Sequence, residues 1–171
     1  LLTSKKTIYN KVIRLNVKWE RPLKGWLKVN IDRAFNSNNL EGGISVVVRD
    51  SKGKWMSGFL KKIQATSPLQ TELQDLLHAL QLIIKEQLFP VDVETDATEV
   101  VRVISEDYPT NNVLIYKCRL LVEEASRQGT ISFRHSFRKG NMVAHVLAKA
   151  ALMETSYNNL CTFVLPPEHV V

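Results

Sequence analysis

From Leu27 onward the chain alternates, with Leu27, Val29 and Ile31 on one side and Lys28, Asn30 and Asp32 on the other, the period of two that marks a strand. An Asn-rich loop at residues 36–39 and the pair Gly42-Gly43 lead into a β-branched run at residues 44–48. Asp50-Ser51-Lys52-Gly53 then supplies a hairpin turn into residues 54–61. Three antiparallel strands are expected first. Ser67-Pro68-Leu69-Gln70 is a helix start, a hydroxyl cap followed by proline in the first helical position and Gln three residues after the cap. Leu69, Leu73, Leu76, Leu77, Leu80 and Ile84 form its buried stripe to about Glu86, and Glu72 sits beside that stripe. After Pro90, Val91, Val93 and Thr95 alternate with Asp92, Glu94 and Asp96, which puts Asp96 at the carboxyl end of a fourth strand.

A helix with Val100, Val101 and Ile104 turned inward follows, then a longer one over residues 113–128, stopped by Gly129. Ile131, Phe133, His135 and Phe137 alternate as a fifth strand. Gly140-Asn141 is expected to cap a last helix that carries Val143, Ala144, Leu147, Ala148 and Ala151. Strands interleaved with helices in this order predict an α/β fold, one mixed sheet of five strands flanked by helices, three antiparallel and then two parallel. Ligands of such sheets gather outside the carboxyl ends of the parallel strands, where Asp32 and Asp96 meet if strands one and four are neighbours. Residues 1–18 read as an arm or linker, 19–154 as the domain and 155–171 as a tail.

Composition fits one domain: 171 residues, 44% hydrophobic and 23% charged, are enough for a real core and argue against overall disorder. No apolar run approaches the roughly 20 residues that span a bilayer, and no signal-peptide pattern opens the chain, so an intracellular protein, nuclear or cytoplasmic, is expected. Because residue 1 is leucine, a piece of a longer polypeptide is expected, acting as a monomeric domain. Cys118 and Cys161 are too few for a disulfide framework and read as buried free thiols. The net charge of +6 and pI near 9.4 suit a polyanionic partner. Lys5, Lys6, Lys11, Arg14, Lys18, Arg21, Lys24 and Lys28 face only Glu20 over the first 28 residues, so the arm reads either as a tracker of phosphates or as a solvated solubility tail.

Asp32, Glu72 and Asp96 each stand where solvation is hard to obtain. Clustered carboxylates raise one another's pKa unless a cation lies between them, and hard oxygen ligands suit magnesium. Two such ions about 4 Å apart activate water and stabilise the leaving oxygen in phosphodiester hydrolysis.

Trp19-Glu20-Arg21-Pro22, Gly25 to Asp32, Arg49-Asp50 with Gly53, Thr71-Glu72-Leu73, Glu94-Thr95-Asp96 and Asn141 to Ala144 with Leu147-Ala148-Lys149 follow one another in order. Together with Pro166-Pro167 they resemble the ribonuclease H-like domains of plant retroelement-type (non-LTR) reverse transcriptases. The resemblance implies metal-dependent cleavage of the RNA strand of RNA–DNA hybrids by a four-acid site holding two Mg2+ or Mn2+ ions. Asp32, Glu72 and Asp96 match the first three acids, and His145 stands at the fourth, giving either a compromised ligand or a polar residue of an inactive site. Arg33 replaces a glycine and Lys139 a frequent Glu; with Asn36 and Asn141 they are the expected nucleic-acid contacts. Ala97 replaces a frequent serine. His135 is expected on the Phe133/Phe137 face, as a core or sheet-facing residue, and Trp26 and Trp55 as core residues or stacking platforms. Two function classes remain: a metal-dependent hybrid nuclease, favoured by the three acids, and a domesticated nucleic-acid-binding or protein-interaction module, favoured by His145 and Arg33. A strand-transfer domain of similar architecture has no support from the motifs.

Overall fold

In the computed structural model, which describes residues 18–107 and 109–168, the first alternation becomes β1 (Leu27–Asn36). It pairs antiparallel with β2 (Glu41–Arg49), Asp32 opposite Ser45, and β2 pairs antiparallel with β3 (Trp55–Gln64). The turn between β2 and β3 closes on Asp50, whose Oδ1 accepts from the backbone N–H groups of Lys52 and Lys54, both at 2.8 Å; that is why an Asp begins it. α1 (Pro68–Glu86) opens as its cap predicts, the Ser67 hydroxyl accepting from Gln70 N–H at 3.1 Å. β4 (Val91–Thr95) then lies parallel to β1 with Asn30 level with Glu94. α2 (Thr98–Ser105), α3 (Val113–Gln128) and β5 (Ile131–His135) follow, β5 parallel to β4. A 3-10 turn (Arg138–Asn141) leads to α4 (Met142–Leu152) and β6 (Leu160–Phe163).

Among the described residues the sheet has six strands in the order β5-β4-β1-β2-β3-β6, where the sequence predicts five. The sixth comes from the expected tail and pairs antiparallel with β3. Its alternation is brief: Leu160 and Thr162 are exposed while Cys161 and Phe163 are half-buried, so four residues at an edge carry little periodic signal.

Strand parity separates two cores. Val29, Ile31, Ile44 and Val46 pack with Leu73, Leu76 and Leu80 of α1 and Cys118 of α3, whereas Val47 and Leu60 meet Ala144, Leu147 and Ala151 of α4 on the opposite face. α4 can lie this close because position 43 is glycine: a Cβ there would come within 2.1 Å of the Ala148 carbonyl oxygen. Gly129 ends α3 for a comparable reason and not through a left-handed turn, since its φ is −177° and a Cβ would meet Phe89 at 2.5 Å. Both cysteines are free; Cys118 is buried, and burial lifts its thiol to about 12. No helix among the described residues is long and apolar enough to cross a membrane.

Two local expectations change. Asn141 does not cap α4 with its side chain, which instead reaches across to β1. β5 stops at His135, so Phe137 falls in the approach to the 3-10 turn and both rings are exposed, edge to face with centroids 5.5 Å apart. Trp55 packs against the second core as expected of a core residue, its indole N–H donating to the Phe163 carbonyl at 3.2 Å. Of the expected arm, residues 1–17 lie outside the described residues.

Candidate active site

Three residues of β1, Lys28, Asn30 and Asp32, turn to the face covered by α4 and are nearly inaccessible. The lower two are neutralised from within. Lys28 forms an ion pair with Glu94, Asn30 Nδ2 donates to the other Glu94 oxygen at 3.1 Å, and Trp19 Nε1–H donates to Asn30 Oδ1 at 2.9 Å. Trp19 in turn lies under Lys28 and Arg49, the latter 4.5 Å from its ring centroid. This network fills the polar positions beneath the site and fixes the β1–β4 register.

Asp32, 3% exposed, tops that column. Its Oδ1 accepts from the Arg33 backbone N–H at 2.7 Å, and its Oδ2 lies 2.8 Å from His145 Nδ1 in the first turn of α4. Burial, reinforced by the negative charge of Asp96, lifts the Asp32 carboxyl from 3.8 to about 6; the Arg33 amide and His145 act in the opposite direction. Asp96 follows the last residue of β4, two positions beyond the Glu94 that pairs with Asn30, so the parallel register delivers both acids to one end of the sheet. Arg138 Nε donates to Asp96 Oδ2 at 3.3 Å.

Glu72 is held differently. β1 parity turns Arg33 to the α1 side, where its Nε donates to Glu72 Oε1 at 2.9 Å and its Nη2 forms an ion pair with the same oxygen at 2.8 Å. Each sequence-predicted acid thus has a basic protein partner, and among the described residues no three His, Cys, Asp or Glu side chains stand in metal-holding geometry.

A fourth carboxyl, Asp75, escaped the sequence reading. It is 1% exposed on α1, and its Oδ1 has no hydrogen-bond partner. Burial raises its pKa well above the ordinary value; Asp32, Glu72 and Asp96 push the same way, against a hydrogen bond from the Ser45 backbone N–H. The signal was present, because Asp75 adjoins Leu76 and falls three residues after Glu72, within the arc that the leucine stripe buries.

The expected nucleic-acid contacts divide. Lys139 is exposed in the 3-10 turn; Asn36 ends β1 half-buried, accepting from Asn38 N–H at 3.0 Å. Asn141 is 1% exposed, and its Nδ2 donates to the Ile31 carbonyl at 2.7 Å, pinning the start of α4 to β1. His135 lines a polar cleft of about 270 Å³ with Lys18, Glu94, Arg134, Ser136 and Gly140.

A mixed sheet with one helix on one face, three on the other, and two acids just past the paired stretch of its central parallel strands defines a ribonuclease H-like fold. Solved structures agree. Ribonuclease H1 of Halobacterium salinarum NRC-1 superposes with a TM-score of 0.66 over 75% of this chain and 98% of that one, at 21% identity. LC11-RNase H1 bound to an RNA/DNA hybrid gives 0.63 over 74% and 96%, also at 21% identity. Residues 30–151 match the model of the reverse transcriptase-like family, and the chain belongs to that family. An Arabidopsis thaliana protein that carries a ribonuclease H name is 28% identical over 133 residues, 78% of this chain; the chain spans 22% of that relative's length.

Proposed function

We propose that this chain is a retroelement-derived ribonuclease H-type domain that hydrolyses the RNA strand of RNA–DNA hybrids with a divalent cation, Mg2+ or Mn2+. The observation that carries this proposal is the meeting of Asp32, in β1 two residues past its paired stretch with β4, and Asp96, just past the end of β4, where the charge of one helps to lift the carboxyl of the other. Two desolvated carboxylates in that relation are stabilised by a hard cation, and their oxygens are the donors such an ion takes. The fit ends there. Glu72 is already bound by Arg33, and His145 directs Nδ1 to Asp32, so the donor set suits one ion better than the two expected from sequence.

Bound at Asp32 and Asp96, the ion would polarise the phosphodiester and make water a better nucleophile. The protein's part is orientation. His145 and the Arg33 amide hold the two Asp32 oxygens from opposite sides, and while Asp32 is ionised the shared proton rests on His145 Nδ1, because a carboxylate only accepts. Asn141 keeps α4, and therefore His145, against β1. Exposed Arg138 places positive charge beside Asp96 for the phosphate backbone, with exposed Lys139 next to it in the chain and Asn36 as a polar group at the end of β1. The hybrid seen with LC11-RNase H1 and the name of the Arabidopsis relative support this substrate class.

The test is cleavage of a hybrid labelled on either strand, with Mg2+ and with Mn2+. RNA-strand products that disappear in Asp32→Asn are expected. Hybrid binding without cleavage under either ion would overturn the proposal in favour of a binding module.

A further inference from the structure

A glutamate beside an apolar helix stripe needs a partner, because an unpaired buried charge is costly, and in this chain the partner is built in. Glu72 Oε1 accepts from Arg33 Nε–H and has the same guanidinium's Nη2 at ion-pair distance, a charge-assisted arrangement stronger than a single neutral hydrogen bond. The Arg33 backbone binds Asp32 while its side chain binds Glu72, so one residue ties together the two acids that lie on opposite faces of β1. Only about one-third of the Arg33 side chain is exposed and about one-eighth of Glu72, which limits how far water screens the pair.

We propose that the Arg33 guanidinium is a resident cation of the acidic site. It occupies Glu72 in place of a second divalent ion and leaves a single ion place, between Asp32 and Asp96. The inference rests on the metal-dependent reading above and deepens it by assigning stoichiometry and the residue that sets it. A divalent ion approaching Glu72 has to displace a fixed positive charge held by a hydrogen bond and a second ion-pair contact, whereas at Asp96 it meets, among the described residues, one contact, at 3.3 Å, from a mostly exposed arginine. Glu72 therefore serves as a positioning residue for Arg33, and the ion is held without it.

Mn2+ binding to the whole chain, followed by the loss of the free-ion EPR signal, reads this without any turnover. One ion per chain is expected for the natural protein, and two for Arg33→Ala, with Arg33→Gln as a second variant that keeps most of the stem. Glu72→Gln is expected to change the single-ion affinity less than about twofold in the natural background but to remove the second ion from Arg33→Ala, while Asp32→Asn weakens the single ion at least about tenfold. Circular dichroism establishes that each variant is folded. Two ions in the natural chain, or one in both Arg33 variants, overturns the Arg33 assignment while leaving the metal-dependent reading standing. No bound ion in any folded variant overturns both.

Discussion

Removing the charge of Asp32 should stabilise the metal-free fold even as it destroys the site. Burial and Asp96 together lift this carboxyl from 3.8 to about 6, so between those values the native chain holds a proton that the unfolded chain has released. Stability is therefore full below about pH 4 and is lost as pH rises through about 6. At about 1.4 kcal/mol for each tenfold change in proton affinity, the penalty reaches roughly 3 kcal/mol by neutral pH. Asp32→Asn keeps the volume and the hydrogen bonds, Oδ1 accepting from the Arg33 amide and Nδ2 donating to a His145 Nδ1 that has changed tautomer. Allowing for imperfect replacement of those bonds, the variant should gain about 1–3 kcal/mol over the natural protein at pH 8 and almost nothing at pH 4. Urea titrations of both proteins across that range, in EDTA, measure the difference directly. Added Mg2+ should shrink it, because the ion supplies the compensation that the mutation removes. A stability difference that is the same at pH 4 and pH 8, or a variant weaker than the natural protein at pH 8, would refute the electrostatic account of the site.

Gly43→Ala should cost about 1–3 kcal/mol in chemical denaturation, because its methyl group meets the Ala148 carbonyl and pushes α4 off β2; an unchanged midpoint would mean that α4 yields freely. Leu147→Ala should cost about 2–5 kcal/mol, since Leu147 is the largest α4 side chain in the small second core, and a loss under 1 kcal/mol in the same assay would contradict that packing. His145→Asp places a carboxylate beside Asp32 and should raise Mg2+ affinity and Mg2+-dependent hybrid cleavage relative to Mn2+; equal ion preference in both proteins would remove His145 from the ion's surroundings. Deleting residues 1–18 should weaken hybrid binding and flatten its dependence on salt, and an unaltered salt slope would leave the arm a solubility tail.

Much of the frame is legible without coordinates because it is a property of short stretches. The two-residue period of residues 27–32 and of Val91 to Asp96 already places Asp32 within a strand and Asp96 at a strand end. The cap at Ser67 and the leucine stripe define α1 with Glu72 beside it. These features follow from backbone geometry, which repeats every 2 or 3.6 residues wherever the chain runs. The order of the elements narrows the sheet to a mixed one for the same kind of reason, since crossovers have a preferred hand.

What each acid touches is another matter. Arg33 and Glu72 are 39 residues apart and Asp32 and His145 are 113 apart, so neither contact has a period or spacing to announce it. Both depend on where α1 and α4 settle on opposite faces of β1, and that is decided by packing of side chains distant in sequence. The same holds for Asn141, which reads as a helix cap but is drawn to Ile31 once α4 docks, and for β6, whose four residues become a strand only because β3 offers an unpaired edge. Strand and helix periods are enough to bring Asp32, Glu72 and Asp96 toward one end of the sheet; that each arrives beside a basic residue follows from packing, because neighbours in three dimensions leave no trace in local pattern.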